Sequence, residues 1–516
     1  MSPTHIYGIF EKELHCTAQH DNPFRECRPI VEFTAPSGHS YFIRPFWDGG
    51  HTWRMRFSPD EVGLWKWQFD HACRGDFHLD GSDPTFTVTP YDGDNPLYRH
   101  GPMQVLQDGR RLVHADETPF FWLADTAWNG VIRGDDDKWE DYLEHRLRQR
   151  FTAIQFVCSH WRGDSLDPAG EAACTEEHPI RVNPGFFQRI DRRVAMINEK
   201  GLLAAPVMIW SLLETDLGFK LPEEDAALLS EYIEARYGAH QLLWLFGGDG
   251  DYRKMGFDRW KRMGRQVFQY GHPRLATLHP CGQTWPCEAF RKEKWYHIAG
   301  YQSGHGDGED HLEWLAKGPP ATQWDNKPPL PVINLEPNYE TAFGYQHHTQ
   351  FTDREVRRGV WWSLLVSPTA GVTYGHDSIW NWNFETGPSE GHGEWHEGAV
   401  PPWYEGLETP GIHSMTNMRK ILDKLDWTSL VPCPEIIKAQ PGDNDIHKQV
   451  VASETADGKV VLYAPEGGEI VFKKPANLPA KYKVINPATG EEKETLTLDD
   501  DTIQLDENHD WLLISE

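Results

Sequence analysis

The sequence lacks long hydrophobic runs and is poor in positive charge. No stretch of its 516 residues approaches the ~20 apolar residues of a membrane-spanning helix, so we expect no membrane partner. Lys and Arg number 50 against 78 Asp and Glu, and the formal net charge is -28. Because binding to DNA or RNA depends on clustered Lys and Arg, we expect no nucleic acid partner, whereas a neutral substrate suits this charge.

Several motifs that carry chemistry are also missing. The eight cysteines include no CxxC pair and no zinc spacing, so buried or free thiols are expected, and no metal or cofactor is predicted. GxSxG, the serine nucleophile motif, is absent, and so is HExxH. The N-terminus, MSPTHIYGIFEKELHC, has no basic segment followed by an apolar one. This predicts a cytoplasmic protein, or a secreted or periplasmic one whose leader has been removed.

Aromatic residues are plentiful, with 23 Trp, 17 Tyr and 24 Phe. Their flat faces can fill large cores, and they also suit ligands with flat apolar faces, sugars among them. A chain of this length exceeds one ordinary domain, so roughly two to four domains are expected. The oligomeric state stays open at this stage.

Residues 1–97 and 429–516 are predicted to form β-sandwiches that flank a central domain. In the first of them, TWRMRF and LWKWQF alternate apolar and polar residues with the period of two that is typical of half-buried strands. Because only the turn SPDEVG separates these strands, we expect them to form an antiparallel pair. WDGG (47–50) predicts another hairpin.

Residues 98–428 alternate short apolar runs with helical patterns, which predicts a (β/α)8 TIM barrel. The eight predicted strands are FFWLADTAW (120–128), TAIQFVCSHW (152–161), LLAAPVMIW (202–210), LLWLFGG (242–248), LATLHP (275–280), YHIAGYQ (296–302), PVINLEP (331–337) and AGVTYG (370–375). An open doubly wound sheet is the alternative, but its GxGxxG fingerprint is absent after the first strand. One helix is predicted to begin at Pro184 with Asn183 as its N-cap.

Carboxylates follow several of these strands, where barrel enzymes place their catalytic groups. Asp125, Asp249 and Glu336 end strands one, four and seven, and His376 and Asp377 follow strand eight. Singly, each could be a helix cap, a turn former or the partner of an arginine. Together, two carboxylates across one barrel mouth provide what cleavage of a glycosidic bond needs.

The stretch LLWLFGGDGDY (242–252) contains two aspartates. Asp249 is nearest to the strand end and is the predicted catalytic group, whereas Asp251 is predicted to cap or position the loop. Other residues near strand ends are predicted to bind substrate, although core packing explains each of them singly about as well. With Asp125, they are Trp128, His160, Trp161, Trp210, His279, Tyr301, Gln302, Tyr374, His376 and Trp380.

Four stretches resemble one family of barrel glycoside hydrolases, the group that includes the apiosidases. They are DGRRLVHADETPFFWLADTAW, LLWLFGGD, VINLEPNYE and VRRGVWWSLLVSPTAGVTYGHDSIW. The N-terminal FWDGGHTWRMRFSPDEVGLWKW is similar to the β-sandwich often found before such barrels, and the C-terminal segment resembles a small β-domain that carries a collagen-binding label. The resemblance implies a glycosidase that acts on plant or algal glycans.

By the same resemblance, Asp249 matches the acid/base and Glu336 the nucleophile. Many other barrel glycosidases have a Glu in place of this Asp. With Glu336 as the nucleophile, we expect a retaining mechanism. Retention predicts that the two carboxyl groups lie about 5–5.5 Å apart, whereas inversion would place them about 6.5–9.5 Å apart.

Two other functions remain as alternatives. The loop SGHGDGEDH (303–311) has the composition of a cation site and would suit a metal-dependent hydrolase, although a solvated loop has the same composition. A non-catalytic glycan-binding protein on a barrel scaffold is the second alternative, against which the presence of both carboxylates argues.

Overall fold

The computed structural model describes residues 4–69, 76–78, 84–161, 166–388, 399–473 and 478–516. Its centre is a sheet of eight parallel strands, which are β1 Trp122–Thr126, β2 Ala153–Val157, β3 Leu203–Trp210, β4 Trp244–Gly248, β5 Ala276–Thr277, β6 Ala299–Gln302, β7 Val332–Glu336 and β8 Gly371–Tyr374. Each strand hydrogen-bonds to its neighbours in the order β5-β4-β3-β2-β1-β8-β7-β6. The predicted TIM barrel is therefore confirmed.

The barrel closes between β5 and the residues just before β6. The Thr277 hydroxyl donates to the Ile298 carbonyl at 2.7 Å, and the His297 N–H donates to the Ala276 carbonyl at 2.9 Å. All eight strands are buried along their whole length, because side chains fill the barrel on one face and helices cover the other. Because both faces of each strand are buried, each strand appears in the sequence as a short apolar run.

Helices form the outer ring, and local sequence signals explain several of their ends. The longer ones are Asp136–Arg148, Pro184–Glu199, Glu223–Tyr237, Phe257–Val267, Glu309–Lys317, Asp353–Leu365 and Pro410–Leu422. Shorter helices are Pro23–Glu26, Pro96–His100, Gly130–Arg133, Leu217–Lys220, Tyr252–Met255, Cys287–Phe290, Pro319–Thr322 and Asp377–Asn381. Thr352 and Glu355 form a capping box. The helix predicted at Pro184 begins there, but the Asn183 side chain donates to Glu171 at 2.9 Å instead of capping it.

The N-terminal unit is a sandwich of two sheets. One holds Thr4–His5, Val31–Thr34, Ser40–Ile43, Gly63–Phe69 and Thr85–Thr89, and the other Phe10–Cys16, Phe46–Trp47, Thr52–Phe57 and Phe77–His78. The hairpin predicted at WDGG is present between Phe46–Trp47 and Thr52–Phe57. The predicted pairing of Thr52–Phe57 with Gly63–Phe69 is wrong, because the turn between them crosses from one sheet to the other. Their alternating residues are buried as expected, since both strands contribute to the core of the sandwich.

This sandwich packs against the outside of the barrel, on the helices Pro184–Glu199 and Glu223–Tyr237. Arg236 is fully buried between Asp48 of the sandwich (2.9 Å) and Asp191 of the barrel (2.7 Å). Arg44 donates to Glu231 at 2.9 Å. The helix Glu223–Tyr237 is consequently buried on all sides, which accounts for its lack of an exposed polar face.

The C-terminal unit is also a sandwich. Its larger sheet holds Val431–Pro432, Val451–Glu454, Val460–Ala464, Lys481–Ile485, Glu492–Thr497 and Trp511–Ser515, and the smaller one Ile437–Ala439, Gly468–Phe472 and Thr502–Leu505. A buried ion pair between Arg357 of the barrel and Asp510 (2.8 Å) joins it to the helix Asp353–Leu365. The strands of the three units lie within 4–89, 103–374 and 431–515, where the short hairpin of Met103–Val105 and Leu112–His114 precedes the barrel strands; the limits at 97 and 428 stay predictions.

Two further expectations from the sequence concern the cysteines and membrane-spanning helices. Of the seven cysteines within the described residues, six are buried and Cys281 is partly buried, and Cys73 lies outside the described residues. Within the described ranges, no helix has the length and apolar character needed to cross a membrane.

Candidate active site

A cleft of about 300 Å³ opens at the carboxyl ends of the barrel strands. Asp249 and Glu336 both line it, together with Cys281 and Gln302. Its walls are largely aromatic and include Trp128, Trp161, Trp210, Tyr339, Tyr345 and Trp380. The two carboxylates singled out by their positions at strand ends therefore meet in one apolar cavity.

Glu336 is the last residue of β7 and is only 6% exposed. Nε2 of His305 lies 3.0 Å from its Oε1 in a well-aligned hydrogen bond. Nε2 of His279 lies 3.2 Å from its Oε2, with a less favourable angle. Each oxygen of the carboxylate thus faces one imidazole.

Backbone groups fix the tautomer of both imidazoles. The Asp249 N–H donates to Nδ1 of His279 at 3.2 Å, and the Tyr339 N–H donates to Nδ1 of His305 at 3.3 Å. Since Nδ1 accepts in each ring, the ring proton of each neutral imidazole is on Nε2, the atom that faces Glu336. His305 is consequently held as an N–H donor to one carboxylate oxygen, and the Nε2 of His279 is directed at the other oxygen.

This arrangement favours an ionised Glu336. Burial alone would raise the pKa of this carboxyl, but the contacts with His279 and His305 outweigh burial and lower the pKa below its ordinary value. The negative charge of Glu336 in turn adds to burial in raising the pKa of the Tyr339 phenol. A carboxylate that stays ionised in an apolar cleft is suited to nucleophilic attack or to stabilising a positive charge.

Asp249 is the first residue after β4 and has a positive φ of 51°. Asp tolerates this left-handed conformation better than most residues because its short side chain can hydrogen-bond locally. The next residue, Gly250, donates to the His279 carbonyl at 3.2 Å, so the loops after β4 and β5 are held together. Asp251 caps the helix Tyr252–Met255 by accepting from the Arg253 N–H, as predicted.

Because Gly247 and Gly248 have no side chains, they leave room for the neighbouring side chains of Tyr252 and Trp210. A Cβ on Gly248 would lie 2.3 Å from Cε3 of Trp210, and one on Gly247 would lie 2.7 Å from the Tyr252 hydroxyl. The absence of side chains in this part of β4 therefore lets Trp210 pack close to the strand and form a wall of the cleft.

The aromatic wall is held in place by ring contacts and hydrogen bonds. Trp210 meets Trp161 edge-on with ring centroids 4.5 Å apart, and Trp128 at 5.3 Å. The indole N–H of Trp128 donates to the Tyr339 hydroxyl at 3.1 Å, and that of Trp380 donates to Asp377 at 2.8 Å. Rings fixed in this way form a preorganised surface for a ligand with an apolar face.

The structure places only part of the predicted substrate-binding set in the cleft. Trp128, Trp161, Trp210, Gln302 and Trp380 line it. His279 lies behind this lining, where it contacts Glu336 and the backbone of Asp249.

Asp125 is a correction to the predicted set. It is fully buried on the outer side of β1, where its Oδ2 accepts from Arg146 at 2.5 Å and from Tyr142 at 2.7 Å. These partners belong to the helix Asp136–Arg148. Asp125 therefore joins β1 to the helix Asp136–Arg148 and does not line the cleft.

Four more predicted residues also lie away from the cleft lining. His160 is paired with Glu176 at 3.3 Å, and burial lowers its pKa. Tyr301 packs between Trp285 and Trp314. Tyr374 donates to Glu340 at 2.5 Å, and His376 accepts from the Ser378 N–H as a helix cap. Tyr301 and Tyr374 lie at the ends of barrel strands, and His160 and His376 follow such strands, but all four side chains are buried in packed regions.

Sequence reasoning did not assign several residues that line the cleft. They are His305, Tyr339 and Tyr345, which come from the loops after β6 and β7, whereas Asp377, noted in the sequence after strand eight, lines the cleft from the start of the helix Asp377–Asn381. Tyr339 is part of NLEPNYE, three residues after Glu336, so its distance from the strand end was a usable signal. His305 was noted only as a member of the metal-like loop.

The metal alternative is not supported by the loop 303–311. His305 is directed to Glu336, and Asp307 accepts the N–H groups of Gln346 and His347 at 2.9 and 3.2 Å. His311 is buried, which lowers its pKa to about 4. In the part of the chain that the structure describes, this loop forms no group of three ligands within reach of one ion.

Comparison with known families decides the identity of the barrel. The model of a family described as the apiosidase-like catalytic domain matches residues 106–429, more than half of the chain. The chain belongs to the apiosidase-like family. A second model, described as a domain of unknown function (DUF5060), matches residues 3–72 of this apiosidase-like protein. Family membership makes the protein a glycosidase, as predicted, whereas no curated protein sequence matches it.

Solved structures show the same fold. A glycoside hydrolase family 5 protein from Bacteroides vulgatus ATCC 8482 is 21% identical with a TM-score of 0.68, over 81% of this chain and 94% of its own. A second glycoside hydrolase is 23% identical with a TM-score of 0.66, over 82% and 99%. Another protein from the same Bacteroides strain, described as a glycoside hydrolase, is 17% identical with a TM-score of 0.70 over 100% of both chains. At such identities the likeness establishes the architecture only.

Proposed function

We propose that the protein is a retaining glycosidase in which Glu336 is the nucleophile and Asp249 the acid/base. The observation that carries this proposal is the environment of Glu336, whose two oxygens each face the Nε2 of an imidazole at 3.0 and 3.2 Å. Asp249 lines the same cleft from the end of β4. One carboxylate kept ionised and a second carboxylate in the same cleft fit double displacement.

The reaction proceeds in two steps. In the first, a Glu336 oxygen attacks the anomeric carbon while Asp249 gives its proton to the glycosidic oxygen, which leaves as an alcohol. In the second, Asp249 takes a proton from water as the water oxygen attacks the anomeric carbon and releases Glu336. The configuration at that carbon is inverted twice and therefore retained.

His279 and His305 have a positioning role in this scheme. Their contacts orient Glu336 and lower its pKa, which keeps this carboxylate ionised. The bond from the Asp249 N–H to Nδ1 of His279 also makes the acid/base loop and the nucleophile parts of one hydrogen-bonded unit.

We propose a plant or algal oligo- or polysaccharide as the substrate class. Support comes from the aromatic walls, which suit the apolar faces of sugar rings, and from the apiosidase-like family. The cleft volume of about 300 Å³ lies at the small end of ligand pockets, ~300–1,000 Å³. This favours action on a chain end or on a short oligosaccharide.

The test combines a screen of plant and algal oligosaccharides and aryl glycosides with two variants. Glu336→Ala and Asp249→Ala should each lose nearly all turnover while remaining folded. Azide should restore both reactions: the Glu336 variant then yields a glycosyl azide of inverted configuration, and the Asp249 variant one of retained configuration. Asp251→Ala, which removes a helix cap and ion pairs with Arg253 and Lys254 outside the cleft lining, is the matched control and should keep near wild-type turnover.

The outcomes distinguish the roles. Since an aryl glycoside with a good leaving group needs little protonation, Asp249→Ala should lose less activity on it than on an oligosaccharide. Wild-type turnover in either alanine variant would contradict the assignment. Glycan binding without hydrolysis by the wild-type chain would favour the non-catalytic alternative.

A further inference from the structure

Three side chains of types that can bind a metal ion lie close together in the N-terminal sandwich. They are far in the sequence from the residues of the cleft. The ligand atoms of Cys16, His20 and Cys27 all lie within 4.8 Å of one another. Cys16 ends the strand Phe10–Cys16, and Cys27 directly follows the helix Pro23–Glu26. Both cysteines are 2% exposed, so the two sulfur atoms lie in the protein interior.

His20 is oriented as a ligand would be. Its Nδ1 lies 3.4 Å from Oε2 of Glu26, whose Oε1 accepts the Asn22 N–H at 3.0 Å. Its Nε2 is buried and has no hydrogen-bond partner among the residues that the structure describes. A buried ring nitrogen without a partner is costly and calls for a ligand.

We infer that Cys16, His20 and Cys27 bind one Zn²⁺ ion. Thiolate and imidazole ligands are the set that zinc prefers, and a carboxylate on the second ring nitrogen is the usual way to orient a zinc-bound histidine. Tetrahedral bonds of about 2.3 Å place ligand atoms ~3.7 Å apart, so the present spacing requires shifts of only about 1 Å.

Binding changes the protonation of the cysteines. Each thiol loses its proton to solvent as its sulfur coordinates the ion, and Cys16 gives up a long S–H contact of 3.9 Å to the Ala18 carbonyl. His20 binds through Nε2 and keeps its Nδ1 proton for Glu26. Its side chain is 16% exposed, whereas Nε2 itself is buried and faces the two cysteines.

The ion would close a loop that joins the sandwich to the barrel. Between the ligands, Asn22 donates to the Ile180 carbonyl at 2.9 Å, and Arg25 pairs with Asp225 at 2.6 Å. Ile180 belongs to the connection between β2 and the helix Pro184–Glu199. Zinc is therefore expected to stiffen the contact between the two units. The spacing Cys-x3-His-x6-Cys matches no common zinc motif, which is why the sequence did not indicate the site.

Metal content and cobalt substitution test the inference. The full chain without a histidine tag is dialysed against a chelator, loaded with Zn²⁺, dialysed against metal-free buffer and analysed for metal. We expect one equivalent per chain in the wild type and in Cys433→Ser, a buried-cysteine control in the C-terminal sandwich, and none in Cys16→Ser/Cys27→Ser. Co²⁺ should produce thiolate charge-transfer absorption in the first two proteins only.

A conservative variant keeps the test independent of folding. Glu26→Gln leaves all three ligands in place and should weaken zinc binding by about 10- to 100-fold. Less than one-tenth of an equivalent of zinc in the wild type would overturn the inference. So would a Cys16–Cys27 disulfide, seen as the loss of two hydrogen masses in the unreduced chain, or equal zinc content in the double serine variant.

Discussion

Single side chains determine how the candidate site works, and His279 is the clearest case. It lines no part of the cleft, yet its two ring nitrogens contact the Asp249 backbone and the Glu336 carboxylate. Its ring also packs edge-on against Trp128 with centroids 5.3 Å apart. A substitution that keeps the ring volume but removes the nitrogens therefore separates its electrostatic role from packing.

His279→Phe should lower kcat by about 10- to 150-fold with little change in KM, because a hydrogen bond to a charged group contributes about 1.5–3 kcal/mol. The histidine contacts lower the pKa of Glu336. Losing one of them raises this pKa, so the nucleophile becomes protonated at a higher pH. The acidic limb of the pH–rate profile should therefore move to higher pH, as measured with kcat/KM from acid to neutral pH.

His160→Phe is the matched control, since His160 is also buried in the barrel but is paired with Glu176 outside the cleft lining. It should leave the acidic limb in place. Equal shifts in the two variants would show that the effect is structural.

For single residues, the sequence predicts a role in the site better at strand ends than in loops. Glu336 could be located because it ends a strongly apolar strand. His305 could not be assigned a role, because loop geometry brings it to the cleft from 31 positions before Glu336, whereas Tyr339 lies only three positions after Glu336 and carried a usable signal. Asp125 was misplaced since alternate residues of a barrel strand face opposite sides, and its side chain faces the helices.

Among the elements, strand β1 and the helix Asp136–Arg148 are joined by an ion pair without any exposed surface. Asp125 and Arg146 both have 0% side-chain exposure and lie 2.5 Å apart. Such a pair adds little net stability, but removing one partner leaves a buried charge uncompensated. The pair is therefore a sensitive probe of this strand–helix contact.

Asp125→Ala should lower the free energy of unfolding by about 3–5 kcal/mol, measured by urea denaturation, because Arg146 then lacks its partner. The kcat of the folded enzyme should stay near the wild-type value, since Asp125 does not reach the cleft. The double variant Asp125→Leu/Arg146→Met should recover most of the lost stability. A large loss of kcat in a folded Asp125→Ala enzyme would restore Asp125 to the substrate-binding set.

Element types were predicted more reliably than strand partners. All eight barrel strands follow from apolar runs bounded by turn signals, and the order of a barrel leaves few choices of partner. In the N-terminal sandwich, the period of two correctly predicts which face of Thr52–Phe57 is buried. It carries no information on the partner strand, and the turn after this strand joins two sheets rather than one.

For the molecule as a whole, the contact between sandwich and barrel depends on charged groups that composition alone does not reveal. Asp191 of the barrel accepts from Arg236 at 2.7 Å and from Arg56 of the sandwich at 3.0 Å. Burial opposes its ionisation, but these two cations lower the pKa of Asp191 to about 2. The unfolded carboxyl has a pKa of ~3.9, so the contact stabilises the fold above this pH.

This stabilisation should disappear as the pH falls from about 4 towards 2, because protonation of Asp191 removes its attraction to both arginines. Asp191→Asn should be less stable than the wild type at pH 7 by on the order of 2 kcal/mol, and the difference should shrink on acidification. Urea denaturation across this range measures it. Asp94→Asn, which removes a fully exposed carboxylate paired with Arg99, should change stability little at any pH.

The central claim is that Glu336 forms a covalent bond with the sugar. The most direct measurement is mass spectrometry of peptides from enzyme incubated with a 2-deoxy-2-fluoro glycoside of the sugar that the screen identifies. The account predicts one glycosyl adduct per chain, carried by the peptide that contains Glu336. An adduct on Asp249, or no adduct together with a product of inverted configuration, would contradict it.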